Sequence, residues 1–114
     1  MLIFLFSDAH NGVLAVRAVV TPINTRLTPQ EVEYILDHSG SRLILVDHEY
    51  KHLVPTTFTR KHGADSVVVS NDTGRPGDPY EAFLASGRAF SQERGWAGLE
   101  TETNEDAAST LCYT

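Results

Sequence analysis

Asn24 to Asp47 reads NTRLTPQEVEYILDHSGSRLILVD, and this stretch decides the fold. Thr28 stands where a helix needs an N-cap, Pro29 fills the first helical position, and Glu31 falls at the third. Together they predict a capping box: the Thr28 hydroxyl accepts from the Glu31 amide, and the Glu31 carboxylate returns to the Thr28 amide. Leu27 and Val32 flank the cap at the spacing of a hydrophobic staple. Val32, Ile35, Leu36 and Ser39 share one helical face, and Gly40 supplies a left-handed stop. Leu43 to Val46 then runs apolar without alternation, the pattern of a strand covered on both faces. A helix passing so quickly into a buried strand is half of a βαβ crossover.

Working outward, Leu2 to Phe6 (LIFLF) is predicted as a buried strand and Asp8 to Ala18 as a helix. Val19 to Ile23 is strand-like until Pro22, which cannot donate to a ladder. Beyond the central stretch, Asp47 is expected to cap a helix over 48–54 that Pro55 ends, with helical turns resuming over 56–62. Ser66 to Ser70 (SVVVS) is β-branched and reads as a strand. Residues 71–79 carry turn chemistry, and Tyr80 to Ala85 a short helix closed by Gly87. Residues 88–104 read as a loop anchored by Trp96, Asn104 as the cap of a single turn, and 109–114 as a last strand. Strands alternating with helices predict an α/β fold with a mainly parallel sheet.

The chain has 114 residues, room for one domain at most. Its formal net charge of −6 and lack of a basic cluster argue against nucleic acid as a partner. The single cysteine, Cys112, excludes an internal disulfide and fits a reducing compartment. The apolar start, Met1 to Phe6, is too short to span a bilayer and lacks a basic leader region. A soluble, intracellular protein is therefore expected, with cytoplasm, peroxisome and mitochondrion not separated.

One motif demands chemistry: His48-Glu49-Tyr50-Lys51-His52 is a literal H-E-x-x-H. On a stable helix it would set two imidazoles one turn apart for zinc, with Glu49 as general base. Here it opens a helix straight after a strand and meets Pro55 soon after, so a solvated helix face is the preferred reading and no metal site is assigned. Asp47, at a strand end, could meet a ribose in a dinucleotide fold, but no G-x-G-x-x-G precedes it, and capping is preferred. His38, in the last turn of its helix, suits the macrodipole when protonated. No catalytic residue is assigned within the chain.

Ala9 to Tyr50 (AHNGVLAVRAVVTPINTRLTPQEVEYILDHSGSRLILVDHEY) resembles the N-terminal part of the AMP-forming acyl-CoA synthetases, the adenylate-forming acyl-activating family. The resemblance lies in an Ala-His-x-Gly-Val helix, an Asn-x-Arg-Leu run, a helix ending His-Ser and a strand ending Val-Asp. Pro79 to Gly87 (PYEAFLASG) is similar to the family's Tyr-Glu-x-Phe-Leu-x-x-Gly segment. Asn104 to Thr114 (NEDAASTLCYT) resembles the approach to its phosphate-binding loop, Tyr-Thr-Ser-Gly-Thr-Thr-Gly-x-Pro-Lys-Gly. Residues 1–7 depart from the pattern, as a truncated or misjoined gene would produce.

The resemblance implies that residues 1–114 are part of the N-terminal subdomain of an acid–thiol ligase. The parent enzyme would use ATP, Mg2+ and coenzyme A to turn a fatty or aromatic carboxylic acid into an acyl-adenylate and then an acyl-CoA. Thr114 matches the opening of the phosphate loop and is the one cofactor-binding residue the resemblance implies here. With the glycine-rich turn and catalytic lysine lying beyond it, the chain alone is expected to bind no cofactor and to be inactive. The competing expectation is a stand-alone, non-catalytic α/β binding or interaction module.

Overall fold

The computed structural model describes residues 2–113, and the side chains of residues 5–113. Four α-helices and two short parallel strands make up its regular structure: α1 (Leu2–Ala15), α2 (Pro29–Ser39), β1 (Ile44–Asp47), α3 (Thr56–His62), β2 (Val67–Ser70) and α4 (Pro79–Arg94). Two 3₁₀ turns, His48–Leu53 and Ala64–Ser66, complete it.

The central stretch folds as its residues dictate. The Glu31 amide donates to Thr28 Oγ1 at 3.3 Å and the Thr28 amide to Glu31 Oε2 at 2.7 Å. The backbone N–H of Thr28, and then its hydroxyl, hold the Glu31 carboxyl below its ordinary range. Gly40 stops α2 at φ 67°, a conformation that costs a residue with a Cβ.

The two strands pair in parallel, Ile44 opposite Val67 and Asp47 opposite Ser70. Alternation along them divides the core in two. Ile44 and Val67 turn to a cluster of Val32, Leu36, Leu53 and Phe58, from α2, α3 and the 3₁₀ turn between strand and helix. Leu45 joins Val68, on the opposite face, with Leu5 of α1 and Tyr80 of α4. Both faces of β1 are thus covered, as the unbroken apolar run predicts, but Ile44, Leu45 and Val46 are only half-buried. None of the described helices is long and apolar enough to cross a membrane.

Several elements differ from the expectation. Leu2 to Phe6 is not a strand: it is the first part of α1, which runs unbroken to Ala15. An apolar run without alternation fits either element, and no turn residue separates it from the helical residues that follow. Leu5 then packs on Val68 and Tyr80, and the Tyr80 hydroxyl donates to Asp8 Oδ2 at 2.8 Å. Burial, and then that bond to a carboxylate, push the Tyr80 phenol well above its usual range. The helix also ends sooner than Ala18. Arg17 takes the left-handed position at φ 61°, and the Ala18 amide reaches back to the Val13 carbonyl at 3.1 Å.

The segments over 19–23 and 109–114 are not strands within the described residues. They meet in a single parallel bridge, Val20 with Thr110. Pro22 has no N–H to extend that ladder. Helix α4 is much longer than Tyr80 to Ala85: Gly87 lies in its interior, and the stop is Gly95 at φ 62°. An interior glycine costs a helix only about 1 kcal/mol, and the helix-forming residues from Arg88 to Arg94 carry it through. The loop predicted over 88–104 therefore begins only after α4. Asp78 caps α4, and the Asn104 side chain accepts from the Asp106 amide at 3.0 Å, making the one-turn cap expected there.

Candidate functional site

Two places carry the residues that sequence reasoning singled out for chemistry: the turn after β1, and the segment that runs to Tyr113.

At the first, Asp47 is buried and its Oδ1 accepts from the Glu49 amide at 3.0 Å, so it caps the following turn as expected. His48 Nδ1 lies 3.3 Å from the same oxygen. Asp47, His48 and Glu49 thus bring three potential ligand atoms within 4.8 Å of one another. The grouping follows from consecutive residues on one tight turn, and His48 and Glu49 are exposed. His48 to Leu53 is a 3₁₀ turn rather than the predicted helix. At three residues per turn, His48 and His52 are rotated roughly 120° apart about the axis, where an α-helix would leave roughly 40°. The backbone thus separates the two imidazoles that H-E-x-x-H chemistry needs on one face, and Asp47 is committed to its cap.

At the second place, the Val20 amide donates to the Ser109 carbonyl and the Leu111 amide to the Val20 carbonyl, each at 3.0 Å. Four residues beyond Ser109, the Tyr113 hydroxyl lies 2.8 Å from His38 Nδ1 at the end of α2. The two rings meet edge to face, centroids 5.8 Å apart, and Tyr34 stacks parallel on the same imidazole at 5.5 Å. Tyr34 and His38 are one helical turn apart, so α2 itself arranges the stack. His38 keeps the last-turn position that sequence predicts, but its tie to Tyr113 could not be read from the helix alone. Cys112 lies exposed in this segment.

Between this segment and the first turns of α2 lies an open cleft of about 470 Å³, lined by Asn24, Leu27, Gln30, Glu31, Tyr34, Ile35 and Tyr113. Its charge is the Glu31 carboxylate; no cationic side chain lines it among the described residues. Thr114, to which the phosphate-loop resemblance points, lies outside the described residues.

A larger concavity of about 620 Å³ sits where α1 and α4 end, bounded by Val16, Phe90, Arg94, Trp96 and Glu100. The Arg94 guanidinium lies over Phe90, 4.4 Å from its centroid. Trp96 Nε1 is enclosed without an acceptor among the described residues. Nearby, Arg17 bonds Glu102, its Nε at 2.9 Å from Oε2, and the Glu100 amide donates to the Ala15 carbonyl at 2.9 Å. These bonds fix the loop after α4 to the end of α1. The Glu102 contact raises the Arg17 guanidinium, while the Asn104 amide and then Arg17 hold the Glu102 carboxyl low.

The family model of the AMP-binding enzymes matches residues 7–114. The chain belongs to the AMP-binding enzyme family. Among curated relatives, the 3-methylmercaptopropionyl-CoA ligase of Ruegeria pomeroyi is 30% identical over 111 residues, covering 94% of this chain and 20% of the ligase. The 3-hydroxybenzoate–CoA ligase of an Aromatoleum species is 30% identical over 89 residues, 73% of this chain and 17% of the ligase. The peroxisomal trans-cinnamate:CoA ligase of Petunia hybrida is 44% identical over 43 residues, 38% of this chain and 8% of the ligase. The chain thus spans about a fifth or less of the length of these relatives. No solved structure shows a significant match.

For an AMP-binding enzyme, the two places differ in meaning. The H-E-x-x-H turn is a capped connection after a strand. The segment at Tyr113 lies at the C-terminal end of the matched stretch.

Proposed function

We propose that these residues are the N-terminal part of an AMP-forming acid–thiol ligase, and that they supply scaffold and the approach to the phosphate loop rather than the adenylation centre. The carrying observation is the family match, which runs through Tyr113 to Thr114, the positions that resemble the first two residues of that loop. The parent reaction would join a fatty or aromatic acid to AMP from ATP with release of pyrophosphate, then pass the acyl group to coenzyme A. The hydroxybenzoate- and cinnamate-CoA ligase names among its relatives favour an aromatic acid, and the methylmercaptopropionyl-CoA ligase a short aliphatic one.

In such an enzyme Thr114 would offer its hydroxyl to the triphosphate. One hydroxyl cannot cradle that charge; successive backbone amides and a cation are needed as well. ATP, Mg2+ and coenzyme A therefore belong to the parent enzyme in this reading. The cleft beside Tyr113, lined among the described residues by a carboxylate and no cation, is suited to packing against neighbouring polypeptide and poorly suited to phosphate.

The test is the transcript beyond the Thr114 codon. An in-frame Ser-Gly-Thr-Thr-Gly is expected; a stop codon or an unrelated glycine-poor sequence would contradict the reading.

A further inference from the structure

We propose that His38 and Tyr113 form a latch that sets the course of the polypeptide into Thr114. His38 would then be a positioning residue for the phosphate loop. The link to the loop rests on the ligase reading above; the latch itself does not.

The segment from Ser109 onward has little else to hold it. It forms no strand, Leu111 and Cys112 are exposed, and its backbone pairs only through the bridge at Val20 among the described residues. One point of attachment allows a chain to pivot; a second point further along defines its direction. The second point is the Tyr113 hydroxyl on His38 Nδ1.

His38 suits this task. It lies in the last turn of a helix whose other end is closed by a capping box and whose own end is stopped by Gly40. One face of its ring is already occupied by Tyr34, which limits rotation of the imidazole before Tyr113 arrives. With the ring proton on Nε2, Nδ1 accepts from the phenol; with it on Nδ1, the imidazole donates to the phenol oxygen. Either tautomer keeps the contact. Because His38 sits on the helix whose Val32, Ile35 and Leu36 are buried in the core, the latch ties the exit segment to a packed, doubly capped element.

Amide exchange of the Val20 and Leu111 N–H groups reads the latch in the 114-residue chain, since both bonds break when the segment swings away. Tyr113→Phe removes only the hydroxyl, and His38→Ala its imidazole partner. Each should speed exchange of those two amides about three- to tenfold, the loss expected for one partly exposed hydrogen bond. The double variant should be no faster than the faster single one, because both remove the same contact. His38→Asn, which keeps a polar atom near the position of Nδ1, should recover part of the protection. The Nδ1 nitrogen resonance of His38 should shift in Tyr113→Phe.

Exchange within about twofold of wild type in Tyr113→Phe, or single effects that multiply in the double variant, would overturn the latch. Failure of the ligase reading would appear instead in the transcript and leave these amides unchanged.

Discussion

Phe58→Ala is expected to cost about 3–5 kcal/mol, a large fraction of the stability typical of a small domain. Phe58 is 5% exposed and sits where α3 closes over Val32, Leu36 and Leu53. Its ring also tilts against His62, centroids 4.6 Å apart. Truncation removes the largest side chain of that cluster and leaves a void that the half-buried strand residues Ile44 and Val67 cannot fill without moving. The other cluster, around Leu5, Val68 and Tyr80, packs separately, with Leu45 and Leu84 against it. Urea unfolding followed by circular dichroism should show the midpoint falling sharply. Leu99→Ala, at a position 67% exposed, should stay within about 0.5 kcal/mol of wild type. A small effect at Phe58 would mean that the α2–α3 cluster is not the main source of cohesion.

The second large effect belongs to a polar residue. Asp78 is buried, and its carboxylate gathers the turn before α4. It accepts from the amides of Asn71 at 3.0 Å, Thr73 at 3.2 Å and Tyr80 at 3.2 Å, and from the Thr73 hydroxyl at 3.2 Å. Asp78→Ala leaves these donors without their acceptor and removes the cap of α4, at an expected cost of about 2–4 kcal/mol. Asp78→Asn keeps one oxygen for a site that uses two, and should lie between.

Protonation acts on the same bonds. Burial pushes the Asp78 carboxyl up, but the amides of Asn71, Thr73 and Tyr80 and the Thr73 hydroxyl together outweigh it, and the net shift is downward. A carboxyl lowered on folding stabilises the fold fully above its unfolded value of about 3.9, and that contribution is lost as pH falls through the folded value. Wild type should therefore lose stability below about pH 4 more steeply than Asp78→Asn. Equal slopes would show that this carboxylate is not preferentially stabilised in its charged form.

How far the sequence could be read depended on whether the deciding contacts were local. Thr28, Pro29, Glu31 and Gly40 act within one turn of themselves, and the helix they predict runs from Pro29 to Ser39 with the capping box in place. The Asp47 cap was equally local and equally legible. Leu2 to Phe6 failed because a non-alternating apolar run carries no period, and only packing of Leu5 on Val68 and Tyr80 decides for helix. Gly87 failed for the opposite reason. It looks like a stop, yet glycine ends a helix only where the backbone turns left-handed, and that happens at Gly95. The exposed second half of α4 gave little apolar periodicity to follow.

The site divided in the same way. H-E-x-x-H is a local pattern whose meaning depends on helix type, and the 3₁₀ turn removes the geometry that the letters suggest. The Tyr113–His38 bond joins residues 75 positions apart, beyond the reach of any spacing rule. Family resemblance pointed to the segment around Tyr113 and Thr114 but not to the imidazole that holds it.

Pyrophosphate release most directly tests the claim that these residues are scaffold for a ligase and not its reaction centre. The purified chain would be incubated with ATP, Mg2+, coenzyme A and a panel of acids that includes 3-hydroxybenzoate, cinnamate, 3-methylmercaptopropionate and straight-chain fatty acids. No acid-dependent pyrophosphate above the ATP-only background is predicted. Acid-dependent release, with acyl-adenylate or acyl-CoA formed in step, would contradict the account.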